Sequence, residues 1–202
     1  MSQFDGRRQM IIKTSRIINS LEKYEYINNV MHTQSKIMRQ TMSFNKFPKH
    51  LLGNVWHATT ATRFKLIKKN GFIKINPNIP DQDRTGCGNK EKYPLVRTLK
   101  GISIFDFRIV DEKYLNDHYS HWNWVLVSGV EYEDIIWISI NLDKLKDCFL
   151  SGEEVSAIAN NSKEYRKYIP KIEGAILCDI PLSSFEDVWG FSHKNKYSWS
   201  KL

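Results

Sequence analysis

The chain has 202 residues, 41% of them hydrophobic and 12% aromatic, enough to bury a core in one domain with appendages and too apolar for a disordered tail. Its net charge of +8 is uneven: residues 1–100 hold 19 Lys/Arg against 6 Asp/Glu, and residues 101–202 hold 11 against 16. Such a field fits an anionic partner (nucleic acid, a nucleotide cofactor or an acidic protein) or a Lys-rich solvated surface, and charge alone does not separate these.

The N-terminus meets polar sequence soon after Met10-Ile11-Ile12, too soon for a signal-peptide core, and no apolar run approaches the ~18 residues a bilayer span needs. These features, with three cysteines (Cys87, Cys148 and Cys178) in no close spacing, predict a cytoplasmic protein with reduced thiols and no membrane partner. Residues 9–43 read as helix, because Met10, Ile17, Tyr24, Met31 and Met38 recur every seven residues without Gly or Pro. They form an N-terminal helical extension over 1–47, open to packing on the body, to dimerisation or to a partner. The body spans 48–202.

A strand is expected over 52–57. Thr59 or Thr60 then caps a helix, Gly71 ends it in a left-handed turn, and a strand follows at 72–75. Residues 76–98, with three prolines and two glycines, read as a long exposed loop. Further strands are expected at 101–107, at 135–140, at 175–180 and near 188–191, with a helical segment over 114–125 leading to Val125-Leu126-Val127 and a polar helix over 153–168. The tail after His193 reads as frayed. The pattern is α+β.

The chain lacks a Walker loop, a Rossmann glycine fingerprint, HExxH and GxSxG. His118 and His121 beside Asp117 have ligand-like spacing but no third ligand, and their aromatic neighbours favour a packing helix. No metal is expected. Three segments stand out: Val55-Trp56-His57-Ala58-Thr59, Gly101-Ile102-Ser103-Ile104-Phe105-Asp106 and Ile172-Glu173-Gly174-Ala175-Ile176. Singly, each has an ordinary reading, as a strand-end histidine, a turn glycine and a solvated loop charge.

In order and spacing, over roughly residues 52–191, these segments resemble the ADP-ribosyltransferase superfamily. That family has His-x-Thr at the end of its first strand, a helix with a step like Asn70-Gly71-Phe72, a glycine-led strand and a catalytic Glu heading a late strand. The resemblance is greatest to the DNA-modifying toxins, with phage-borne protein-modifying enzymes close behind. It implies a split mixed or antiparallel sheet and a mono-ADP-ribosyltransferase that cleaves NAD and passes ADP-ribose to DNA, RNA or a nucleic-acid-binding protein. It implies that Glu173 holds a ribose hydroxyl and orients or deprotonates the acceptor. His57 would bond the adenosine ribose, with Thr59 or nearby backbone on the nicotinamide side. Phe105 or Tyr93 would stack on nicotinamide, Arg84 or Arg97 would pair with the pyrophosphate, and Gly101 and Ser103 would line the site. Two positions depart from the family: Ser103 stands where the poly-ADP-ribosylating relatives have Tyr, and Lys171, two residues before Glu173, disfavours arginine-specific modification. Two other readings compete. One is a non-catalytic nucleic-acid or partner-binding module using Lys65, Lys68, Lys69 and the N-terminal helix. The other is a metal-independent ribonuclease toxin with His57 and Glu173 as acid and base.

Overall fold

The computed structural model describes residues 47–80, 93–122, 133–162, 166–192 and 198–202. The readings made for residues 9–43, for Arg84 and Cys87, and for Val125–Val127 lie outside them. The chain divides into two units between Lys46 and Phe47, and all of the described residues belong to the second.

The centre of this unit is a seven-stranded sheet in the order β5-β6-β3-β1-β4-β8-β9. The strands are β1 (Val55–Thr60), β3 (Ile102–Asp106), β4 (Ile135–Ile140), β5 (Phe149–Leu150), β6 (Glu173–Ile176), β8 (Phe185–Ser192) and β9 (Ser198–Lys201). Every neighbouring pair is antiparallel. Two further strands, β2 (Phe72–Ile73) and β7 (Ile180–Pro181), pair with each other in a separate small sheet. The architecture is therefore α+β, with few and short helices.

Helix α1 (Ala61–Asn70) joins β1 to β2. Thr60, not Thr59, caps it by accepting from the Arg63 amide, and Gly71 ends it at φ 86°. A left-handed residue there satisfies the last helical carbonyls, and glycine takes that conformation without a Cβ penalty. The other α-helices among the described residues are α2 (Leu95–Thr98), α3 (Glu112–Asp117), α4 (Tyr119–Trp122) and α5 (Gly152–Asn161). α5 opens on a capping box in which Ser151 and Glu154 bond each other's backbone amides.

Because side chains alternate along a strand, the register sorts the sheet into two faces. One face carries Val55, Ile102, Ile104, Ile136, Ile138, Ile140 and Ile176, with Ala61, Phe64 and Ile67 of α1 packed on it. On the other, Ala175 packs with Leu95 and Val96 of α2 and Val155 of α5. Aromatic residues also lie on that face, where Trp137 is 5.0 Å from Phe105 and 6.0 Å from Trp199 between ring centroids. β4 is buried along its whole length, which explains its uninterrupted apolar sequence: both faces of a central strand are covered.

Several expectations need correction. The strand expected over 52–57 is β1 at Val55–Thr60, so His57 lies within it and not at its end, and the helical segment expected over 114–125 is two short helices, α3 and α4. The long loop contains α2, whose Leu95 and Val96 are buried. The helix expected over 153–168 ends at Asn161. The strand expected over 175–180 is two strands in two sheets, β6 and β7, because the chain leaves β6 after Ile176 and pairs again only at Ile180. The tail holds β9, which pairs with β8 from Ser192↔Ser198 to Trp189↔Lys201.

Candidate active site

β1 pairs with β4 from Trp56 to Thr60, but with β3 only at Val55↔Asp106 and Trp56↔Phe105. Beyond Trp56 the two strands part, leaving backbone groups of β3 without ladder partners. His57 fills that gap, with its Nδ1 3.1 Å from the Ser103 carbonyl oxygen. A carbonyl only accepts, so Nδ1 carries the proton and, in the neutral ring, Nε2 keeps a free lone pair. Burial lowers the His57 pKa from its ordinary value; the Ser103 hydrogen bond opposes this and the nearby Arg63 charge adds to it. The ring is thus a neutral, oriented imidazole at neutral pH.

On the other side of β3, Ser103 meets Glu173. Its hydroxyl donates to Glu173 Oε1 at 2.6 Å, and the Ile169 amide donates to Oε2 at 3.0 Å. Glu173 is only 8% exposed. Burial pushes its carboxyl above the ordinary carboxylate range, opposed by the Ser103 hydroxyl and the Ile169 amide. By register Glu173 lies opposite Phe105 and Ser103 opposite Ala175, so Glu173 and Ser103 share a face. Strand alternation places His57 with Val55 on the other face. Ser103 joins them, its carbonyl taking the imidazole and its hydroxyl holding the carboxylate.

The turn presenting Glu173 is clamped from several sides. Lys171 sits at φ 59°, in the left-handed region that costs a non-glycine residue energy unless its surroundings impose it. Here the Lys171 amide donates to Ser156 Oγ at 2.8 Å and the Glu173 amide to the Ile169 carbonyl at 2.8 Å. A Cβ on Gly152 would lie 2.1 Å from the Lys171 carbonyl oxygen, so the close approach of α5 to this turn requires glycine. From β3, the Asp106 amide donates to the Ile172 carbonyl at 2.7 Å.

The other expected residues lie around this group in separate settings. Thr59 is half-buried beside the cap, paired with Ile136. Phe105 is buried, its ring 5.8 Å from Phe107 and 5.0 Å from Trp137. Gly101 packs where a Cβ would meet Ala175, Leu177 and Val96 at 3.1–3.2 Å. Arg97 lies on α2 with its guanidinium 3.8 Å from the centre of the half-buried Tyr93 ring. His118 stacks on Tyr114 and contacts its carbonyl at 2.8 Å. Among the described residues no group of three or more His, Cys, Asp or Glu is placed to hold a metal ion.

Three features escaped the sequence reading. Asp106, fully buried, is gripped by Arg108 through two bonds of 2.9 Å, and only the i,i+2 spacing hints at it. The turn clamp could have been glimpsed in Ser151-x-x-Glu154, a capping-box signature. Cys148 and Cys178, thirty positions apart in the chain, are neighbours across the β5–β6 edge, where the Leu177 amide bonds the Cys148 carbonyl at 2.7 Å. Both cysteines are free thiols.

No family model, curated protein or solved structure matches the chain.

Proposed function

We propose that this protein is a mono-ADP-ribosyltransferase that cleaves NAD and transfers ADP-ribose to a nucleic acid or a nucleic-acid-associated protein. One observation carries the reading: the three distant segments that resemble the superfamily lie on contiguous strands, β6-β3-β1, and Ser103 hydrogen-bonds both His57 and Glu173. A split sheet is part of the same resemblance, and the parting of β1 from β3 beyond Trp56 agrees with it.

The donor set suits a ribose-linked substrate. His57 Nε2 offers a lone pair to a ribose hydroxyl, and its Nδ1 bond fixes the ring plane. Each Glu173 oxygen receives one protein donor and has capacity for a second, so a sugar hydroxyl can join without displacing either. NAD, when bound, supplies the ADP-ribosyl group and nicotinamide as leaving group. Glu173 places negative charge beside the sugar as positive charge develops there, the arrangement that lowers the barrier to glycosidic cleavage. Its raised pKa suits it to receive the acceptor's proton at Oε1 or Oε2.

The test is incubation of the protein with NAD labelled in its adenylate phosphate, together with DNA, RNA or a cell lysate, beside Glu173→Gln and His57→Ala variants. Label passes to a macromolecule with the parent protein and is lost with Glu173→Gln. RNA cleavage in the absence of NAD would overturn the proposal in favour of a ribonuclease. Nucleic-acid binding without turnover, unchanged in both variants, would leave a binding module.

A further inference from the structure

Cys148 and Cys178 take no part in the site above, yet they meet at the edge of the sheet that carries Glu173. Cys148 ends the 3-10 turn Lys146–Cys148 that leads into β5, and Cys178 lies two positions beyond the end of β6. The register Phe149↔Ile176 continues one step outward, where the Leu177 amide donates to the Cys148 carbonyl at 2.7 Å. Alternation puts Cys178 on the side of Ile176 and turns Leu177 outward, where it is 39% exposed. Cys148 reaches the same side from its turn, and both cysteines pack against the apolar cluster that includes Ile176. Neighbouring strands lie about 4.8 Å apart and one step along a strand adds about 3.3 Å. The two Cα atoms therefore fall within the separation of about 4.4–6.8 Å that a disulfide spans. The Cys178 thiol donates a hydrogen bond to the Cys148 sulfur, so the sulfurs face each other. Each cysteine is half-buried, and neither is sealed from a small solute. Between them in the chain lie β5, the capping box of α5, the Gly152 contact on the Lys171 turn, and β6 with Glu173.

We propose that Cys148 and Cys178 form a reversible dithiol–disulfide site, oxidised by a small disulfide of the glutathione type, and that the bond closes a covalent loop around the Glu173 unit. Cys148 accepts the Cys178 S–H and is therefore the sulfur that bears the charge when the pair loses a proton. Its thiolate attacks one sulfur of the small disulfide, whose other half leaves as a thiolate and takes up a proton. Burial, and then the hydrogen bond and charge of Cys148, hold the Cys178 thiol up. The mixed disulfide on Cys148 withdraws the last two, leaving burial and the charge of Asp179. Cys178 then gives its proton to water, attacks the Cys148 sulfur and expels the second small thiol. Two cysteine thiols and one small disulfide become one protein disulfide and two small thiols, so the protein is oxidised by two electrons and the small disulfide is reduced by two. The closed loop restricts the unfolded chain, and oxidation raises stability. This holds whatever reaction the Glu173 unit performs.

The experiment uses the full chain, reduced with dithiothreitol, freed of reductant and equilibrated without air at pH 8 in reduced and oxidised glutathione at varied ratio. After an acid quench and alkylation with N-ethylmaleimide, the oxidised protein should lack the mass of two hydrogen atoms and of two maleimide labels. Peptide mapping should find Cys148 joined to Cys178, and dithiothreitol should reverse the bond. Oxidation should raise Tm by about 7–15 °C, the effect of closing a loop of this length in a chain of this size. C148A/C178A should melt at one temperature in both buffers, and C178S should stop at the glutathione adduct of Cys148. In the parent protein, a glutathione adduct that never resolves, a bond to Cys87 in place of the pair, or full alkylation in excess oxidised glutathione would overturn the assignment. A Cys148–Cys178 bond that leaves Tm unmoved would overturn the hold of the closed loop on the Glu173 unit.

Discussion

Gly152→Ala isolates the clamp on the Glu173 turn. Gly152 is the first residue of α5, and the added methyl carbon would stand 2.1 Å from the Lys171 carbonyl oxygen, 2.5 Å from its carbonyl carbon and 3.1 Å from the Ile172 amide nitrogen. All three are backbone atoms, so no side chain can swing aside. Relief to an ordinary contact requires roughly 1 Å of movement by α5 or by the turn, and movement of the turn breaks the bonds that Lys171 and Glu173 make there. Overpacking of this kind costs about 1–3 kcal/mol, and the gain from stiffening the unfolded chain returns about 0.4–1 kcal/mol. The net loss is then up to about 2.6 kcal/mol and centred at about 1.3 kcal/mol, the latter being about 3–5 °C in Tm for a chain of this size. Gly190→Ala is the matched control, because its methyl would meet only the Leu202 side chain at 3.5–3.6 Å; it should shift stability by less than about 0.5 kcal/mol. Denaturant unfolding of both variants, with NAD cleavage measured on the folded protein, reads the result. A Gly152→Ala variant as stable as Gly190→Ala, with unchanged turnover, would refute the claim that α5 sets the position of Glu173.

Ser103→Ala removes one of the two donors to a buried carboxylate and should cost about 1–3 kcal/mol. Because the Ser103 bond lowers the Glu173 pKa, the proposed transferase reading requires its loss to move the acid limb of NAD cleavage to higher pH; an unmoved limb would separate Ser103 from that reaction. His57 has a folded pKa below the ordinary 6.5, so between those two values only the unfolded chain is protonated. Its contribution to stability is complete above pH 6.5 and is lost as pH falls through that window. His50, also lowered by burial, acts in the same direction. Thermal melts from pH 7.5 to 5 should therefore fall, and His57→Gln should flatten but not abolish the slope; identical slopes would argue against a neutral, half-buried imidazole. Burial, followed by the hydrogen bond to Cys148 and the charges of Cys148 and Asp179, pushes the Cys178 thiol up to about 12. At pH 8 its thiolate fraction is on the order of 10⁻⁴, so iodoacetamide followed by peptide mass mapping should find Cys178 alkylated far more slowly than a free cysteine; comparable rates would contradict the packed thiol pair.

Much of the local structure was legible before any fold was known. The capped start and glycine stop of α1, the apolar run of β4 and the glycine-led β3 depend on near neighbours in the chain, where propensity, capping and alternation act. β9 was not legible, because Ser198-Trp199-Ser200-Lys201 has one apolar residue and becomes a strand only by pairing with β8. The break between β6 and β7 was hidden for the same reason: the apolar sequence runs on, and pairing partners decide where it divides. For the site, the residue types at 57, 103 and 173 were visible, as was their order. That Ser103 bonds His57 by its carbonyl and Glu173 by its hydroxyl comes from β3 lying between β1 and β6, a long-range choice that no local pattern encodes. The α+β class and the residue types at 57, 103 and 173 were already set along the chain, because those are properties of side chains and short periods. Tertiary structure alone decided which of them touch, because strand order and the parting of β1 from β3 depend on packing across the whole sheet.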